Sequence, residues 1–254
     1  MKTRIIRTTG SLAAILLSLL TAAAVPAASA AEPVAEKIIV KDSFNAGREN
    51  WEWSGSINQG GLILTAPNAK QWAGAQTLLK TSPTLPASEA QALRLHLTIE
   101  QLDNAAEGKT NAEARLFFLP APLKNPSFAD PFGEPDALTL LISANTDRGT
   151  LSLNLFRKTG QAKGGYGDKL YEATLPLGSF PLTLDWYLSL TGYKLNLTPK
   201  AQSVDGSREG AWTLAGTPLA GQLRYVMRAV NIADNVQSRL RLSDFSLTHT
   251  TIPE

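Results

Sequence analysis

Residues 93–100 read Leu-Arg-Leu-His-Leu-Thr-Ile-Glu. Apolar and polar residues alternate without a break, so Leu93, Leu95, Leu97 and Ile99 share one face and Arg94, His96, Thr98 and Glu100 the other. A period of two is a β-strand, and one dry face with one wet face belongs to an antiparallel sheet. The pattern returns at Leu182, Leu184, Trp186, Leu188 and Leu190, which alternate with Thr183, Asp185, Tyr187 and Ser189. It returns again at Leu151, Leu153 and Leu155, and at Leu195 and Leu197 after the turn-like Thr191-Gly192.

Shorter strand candidates lie at Ile38–Phe44, Leu62–Thr65, Gln76–Leu79, Ala114–Leu119, Leu138–Ser143, Leu170–Leu175, Trp212–Leu214, Leu223–Val230 and Leu240–Leu247. Turn signals separate them. Asn145 to Gly149 reads as a hairpin loop, Gly160 to Asp168 and Ala201 to Gly210 as longer polar loops. Pro120 to Pro135 carries five prolines and is expected to be irregular, because proline cannot donate to a ladder. Helical signal is confined to Ser88–Ala92 and Ala105–Ala114. In the last strand Leu240 and Leu242 share one parity while Phe245 and Leu247 share the other. A one-residue bulge near Ser243 would bring all four to one face. More than ten short strands with little helix predict an all-β, antiparallel two-sheet β-sandwich, a jelly roll.

The first thirty residues read differently. Lys2, Arg4 and Arg7 precede an apolar run from Leu12 to Leu20 and a small-residue stretch ending Ala28-Ser29-Ala30. This is the three-part pattern of a secretory signal peptide, with cleavage expected after Ala30. The apolar run is too short to span a bilayer, and no later segment is a transmembrane candidate. The expected organisation is a signal peptide over 1–30 and a single jelly-roll domain over 31–254, secreted or periplasmic. The whole chain has 24 basic and 22 acidic residues, a net charge of +2. Removing 1–30 leaves 21 basic residues against 22 acidic, so the domain is near neutral. It has no basic stripe interleaved with aromatics, which disfavours nucleic acid as a partner. There is no cysteine, which excludes disulfides, thiolate metal sites and thiol catalysis, and for an exported protein favours a bacterial route.

Several stretches resemble the concanavalin A-like lectin/glucanase jelly rolls, the class that includes laminin-G-like modules. They are Asp42-Ser43-Phe44 ahead of Trp51 and Trp53, Gly60-Gly61-Leu62-Ile63-Leu64, and Asp136-Ala137-Leu138-Thr139-Leu140. The hairpin Leu188-Ser189-Leu190-Thr191-Gly192-Tyr193-Lys194-Leu195 and the closing strand Leu240 to Leu247 complete the likeness, over nearly all of 37–249. The resemblance implies a β-sandwich that binds or acts on glycans. Hydrolases of this class carry a Glu-x-Asp-x-Glu strand, whose alternation sets carboxylates on one face as acid and nucleophile. This sequence has no such strand.

Asp130, Glu134 and Asp136 are the closest acidic cluster, and they sit among Pro126, Pro131 and Pro135. A solvated turn, a carboxylate pair and a structural calcium site are the readings open there; calcium takes several oxygens from irregular loops. No other cofactor is expected. A serine hydrolase needs a positioned histidine, but His96 sits on the wet face of a strand with Arg94 and Glu100, His249 stands nearly at the chain end, and no Gly-x-Ser-x-Gly elbow is present. Trp186 and Trp212 read as core, and Trp51 and Trp53 as a pair packing between sheets. Trp72 is different: it stands in Asn68-Ala69-Lys70-Gln71-Trp72-Ala73-Gly74, a polar loop. Tyr166 stands in a glycine-rich loop between Lys163 and Lys169. Either could stack on a sugar ring with Asn68 and Gln71 supplying hydrogen bonds, or be an anchor tucked under the sheet edge. Arg224, Arg228, Arg239 and Arg241 are expected to line one outer face. The expected function is non-catalytic: binding of a polysaccharide or glycoconjugate, or an accessory scaffold role. A glycan-active hydrolase or lyase with a non-standard site on the concave face is one alternative, a structural or adhesion module another.

Overall fold

A computed structural model of the chain describes residues 36–44, 49–54, 56–58, 61–66, 72–77, 83–86, 88, 90–104, 111–120, 137–158, 167–190, 192–199, 207–208, 223–231 and 238–251. By contact the chain divides into Met1–Glu32 and Pro33–Glu254, and every described residue belongs to the second unit. The alternating runs are strands. In chain order they are β1 (Lys37–Asp42), β2 (Trp51–Ser54), β3 (Ser56–Asn58), β4 (Gly61–Ala66), β5 (Trp72–Thr77), β6 (Gln91–Asn104), β7 (Asn111–Pro120) and β8 (Leu138–Asn145). There follow β9 (Thr150–Arg157), β10 (Asp168–Pro176), β11 (Leu182–Leu188), β12 (Tyr193–Pro199), β13 (Ser207–Arg208), β14 (Leu223–Asn231) and β15 (Ser238–Thr251). The helical element among the described residues is one 3-10 turn, Leu177–Ser179.

Every pairing among the described residues is antiparallel. One sheet runs β13-β12-β11-β6-β15-β4-β3, with β1 also paired to β15; the other runs β10-β9-β8-β7-β14-β5-β2. We call them the first and second sheets. Their facing sides carry the leucines that the alternation predicts. Leu93, Leu95, Leu97 and Ile99 of β6 and Leu182, Leu184 and Trp186 of β11 are fully buried, and so are Leu140, Ile142, Leu153 and Leu155 of the second sheet. Rings join the two layers: Tyr225 of β14 stacks on Phe245 of β15 at 5.4 Å, and Phe118 of β7 meets Trp186 edge-on at 4.9 Å. A smaller apolar cluster, Phe117, Leu119, Ala137 and Val226, is buried on the far side of the second sheet.

The bulge in the last strand is present. Ser243 pairs with Thr98 but Ser246 with His96, so β15 spends one residue more than β6. Asp244 takes a positive φ of 49° there, and Leu240, Leu242, Phe245 and Leu247 all end in the core. A second shift lies in β6 itself, between the pairs Gln101–Arg241 and Ile99–Leu242. It lets Leu102 follow Ile99 into the core despite its opposite parity.

Three expectations need correcting. Ser88–Ala92 and Ala105–Ala114 are not helical where they are described: Ala92 lies in β6, and 111–114 open β7. Alanine is a weak strand former, but strand neighbours on both sides supply the hydrogen bonds and override local preference. For the same reason the small-residue run Ala73-Gly74-Ala75 belongs to β5, and Trp72 begins that strand rather than standing in a loop. The Arg quartet does not share a face. Arg224 and Arg228 are on β14 of the second sheet, Arg239 and Arg241 on β15 of the first, because the chain changes sheet between them.

Candidate functional site

The polar face of β6 builds the most developed polar constellation. Pairing places Lys41 of β1, Ser246 of β15, His96 of β6 and Asp185 of β11 in one register row across four neighbouring strands. Directly paired residues of an antiparallel sheet share a face, so all four point away from the core. His96 Nδ1 lies 2.8 Å from Asp185 Oδ1. A carboxylate only accepts, so Nδ1 carries the proton and Nε2 of the neutral ring is left as an acceptor. Arg94, two residues along β6, sets Nε and Nη2 each 2.8 Å from the same oxygen. Its Nη1 reaches Glu36 Oε1 at 3.3 Å, and Thr248 Oγ1 donates to that oxygen at 3.1 Å. Burial pushes the Asp185 carboxyl up. The hydrogen bonds from His96 and Arg94, with the charge of Arg94, outweigh this and hold it below the usual carboxylate value.

A cleft of about 350 Å³ opens over this face between β1, β15 and β6. Arg94, His96, Lys41, Ser246, Thr248 and Asp244 give it polar walls, and Ile38, 58% exposed, gives it an apolar one. Asp42 closes one end, where its carboxylate is already committed. Oδ1 accepts from the Phe44 N–H at 2.6 Å and Oδ2 from Trp51 Nε1 at 2.7 Å. That turn tucks Phe44 and Trp51 against Phe245 and so sets the floor of the cleft.

The outer face of the second sheet holds a separate polar group. Arg115 of β7 donates through Nε and Nη2 to Glu113 Oε2 at 3.0 and 2.6 Å, and Arg228 of β14 lies opposite Arg115 in register. Arg224 comes no nearer than 4.0 Å to Glu52.

Of the residues expected to bind a ligand, Trp72 is at the register position opposite Val230 on β14. Asn68, Gln71 and Tyr166 lie outside the described residues. The strands that adjoin them are far apart: β5 is next to one edge of the second sheet and β10, which Tyr166 precedes, is the other edge. Asp130, Glu134 and Asp136 also lie outside the described residues. Among the described residues no three carboxylate or imidazole groups converge as a metal ion requires, and none is a helix long and apolar enough to cross a membrane. Sequence reading placed His96 on the wet face of its strand but gave it no partner. Asp185 is 89 residues away, and the visible signal was only a lone acid among the leucines of 182–190.

No protein-family model matches the chain, and no curated protein matches it in sequence. Solved structures do match in fold. The Emp47p carbohydrate recognition domain aligns at a TM-score of 0.53 and 15% identity, over 85% of this chain and 94% of that one. A legume lectin-like domain from Entamoeba histolytica aligns at 0.55 and 12%, over 85% and 98%. An endo-1,3-β-glucanase from Streptomyces sioyaensis aligns at 0.55 and 12%, over 87% and 99%. The chain has the concanavalin A-like jelly-roll fold, and its neighbours in that fold include lectin-like carbohydrate recognition domains and a glucanase.

Proposed function

We propose that this concanavalin A-like jelly roll is an exported glycan-binding protein, released from a signal peptide at Ala30, and that its sugar site is the cleft over β1, β15 and β6. The observation that carries the reading is the composition of that cleft. Ile38 offers an apolar patch suited to the C–H face of a sugar ring, and Arg94, His96, Ser246 and Thr248 offer hydrogen-bonding groups beside it. A volume of about 350 Å³ suits one or two rings. The near-neutral charge of 31–254 suits a neutral glycan better than a strongly anionic one.

Glycosidic cleavage is the weaker reading. The fold likeness to a glucanase favours it, but it needs two free carboxyl groups about 5–9.5 Å apart. Of the described carboxylates that line the cleft, Asp42 is tied to the turn and Glu36 to Arg94 and Thr248, which leaves Asp244 without a second free carboxyl to pair with; Asp185, behind His96, is held by His96 and Arg94. Electrophoresis through gels containing single polysaccharides tests the proposal. Retardation by at least one glycan is expected, reduced about tenfold in affinity by Ile38→Ser. Loss in Trp72→Ala with Ile38→Ser unaffected would move the site to β5. Free migration through every gel would end the glycan reading.

A further inference from the structure

We infer that Ser246, His96 and Asp185 form an acyl-transfer site at the base of this cleft, with Lys41 beside it, and that its substrates are O-acyl esters such as those carried by modified glycans. The inference takes its substrate class from the glycan reading of the same cleft; the chemistry stands on the row of residues alone.

Neighbouring strands are about 4.8 Å apart. Asp185 and Ser246 therefore lie one strand to either side of His96, about 10 Å from each other, with the imidazole between them. Asp185 holds Nδ1 at 2.8 Å, which fixes the tautomer in which Nε2 is the free acceptor. That is the form a general base needs to take a proton from a hydroxyl. Ser246 has a hydroxyl that makes no hydrogen bond to a described residue, and it borders the cleft together with His96. The Oγ–Nε2 bond is not made in the resting arrangement, and such bonds commonly close only around substrate. Lys41 flanks Ser246 from the opposite side, and its ammonium is without a partner among the described residues. It is the group suited to the negative charge that develops on an attacked carbonyl oxygen. Arg94 does not compete for this role, since both its carboxylate partners hold it at the wall.

The step balances within these groups. Ser246 Oγ bonds to the ester carbonyl carbon while its proton passes to His96 Nε2. The carbon–alkoxy bond then breaks, and the alcohol departs with that proton. Water attacks the acyl-serine, gives a proton to His96, and releases the carboxylic acid as the proton returns to Ser246. Asp185 touches no reacting atom and acts as a positioning residue through His96.

The test uses the full chain with a fluorophosphonate, which modifies serine hydroxyls activated by a base, and mass spectrometry to locate the label. Hydrolysis of p-nitrophenyl acetate is followed in parallel. Labelling at Ser246 is expected, with hydrolysis falling about a hundredfold in Ser246→Ala and in His96→Gln. Asp185→Asn should lower kcat with KM unchanged, and Asp185→Glu should recover part of it, which a merely structural loss would not produce. No label at Ser246, or Ser246→Ala hydrolysing as fast as the parent with an unchanged circular dichroism spectrum, overturns the inference. Polysaccharide retardation is measured on the same preparation. Retardation without labelling removes the acyl-transfer step and leaves glycan binding. Labelling without retardation supports the step and removes the glycan as its substrate.

Discussion

Asp185 is a carboxylate on the outer side of a strand, and His96 and Arg94 both reach its Oδ1. Its folded value lies below the ordinary one of 3.8. A depressed carboxyl stabilises the fold fully above its unfolded value, and that contribution fades as pH falls through the lower, folded value. The parent protein should therefore exceed Asp185→Asn in stability at neutral pH, and the gap should narrow steadily as pH drops below 4. Urea unfolding midpoints of the two proteins across that range check this; a gap independent of pH would mean that the carboxylate's charge contributes nothing. The sequence shows that His96, Asp185 and Ser246 stand on wet faces, since parity within a run is local. It does not show that they adjoin, because pairing is decided by partners about 90 and 150 positions away. Asp42 is the converse case: its partners Phe44 and Trp51 are close in sequence, and the stretch that holds them could be singled out before any pairing was known.

At the scale of elements, turns and bulges control where each strand points. The hairpin of Asn145 to Gly149 is built as the sequence suggests. Asn145 Oδ1 accepts from the Arg148 N–H at 2.9 Å, and Gly149 takes a φ of 62°. Gly167, where β10 begins, is a tighter case. Its φ is 95°, and a Cβ there would run into the Arg157 carbonyl and the Lys158 backbone of the paired strand end. Gly167→Ala should cost about 2–3 kcal/mol by combining an unfavourable φ with a backbone clash, read as a shift of the thermal midpoint. An alanine variant as stable as the parent would show that the strand end relaxes freely. The bulge at Ser243 was legible because the apolar parity switches between Leu242 and Phe245. The second shift, in β6, is not legible in the same way, although Ile99 and Leu102 make the same switch. A single leucine out of phase is ambiguous until its burial is known.

At the scale of the molecule, two sheets close over a core of leucine and aromatic rings with no disulfide to assist them. Phe245 touches Phe44, Trp51 and Tyr225, so it joins the first sheet to the second and to the β1–β2 turn. Phe245→Ala should cost about 3–5 kcal/mol. Tyr225→Phe should be neutral or stabilising by up to about 1 kcal/mol, because its hydroxyl is fully buried without a hydrogen-bond partner among the described residues. Chemical denaturation followed by tryptophan fluorescence measures both, and a Tyr225→Phe variant destabilised as much as Phe245→Ala would reveal a partner for that hydroxyl.

Sequence alone determined the long alternating strands with their dry and wet faces, the all-β class and the need for a bulge in the closing strand. Each is written in a period of two over a few neighbouring residues, where side-chain direction follows from backbone geometry. Only the tertiary structure decided which strands adjoin. It split the four arginines between sheets, moved Trp72 from a loop to the start of a strand, and set Lys41, Ser246, His96 and Asp185 in one row. Pairing between distant segments is chosen by the burial of the whole core at once, and no local pattern carries that information.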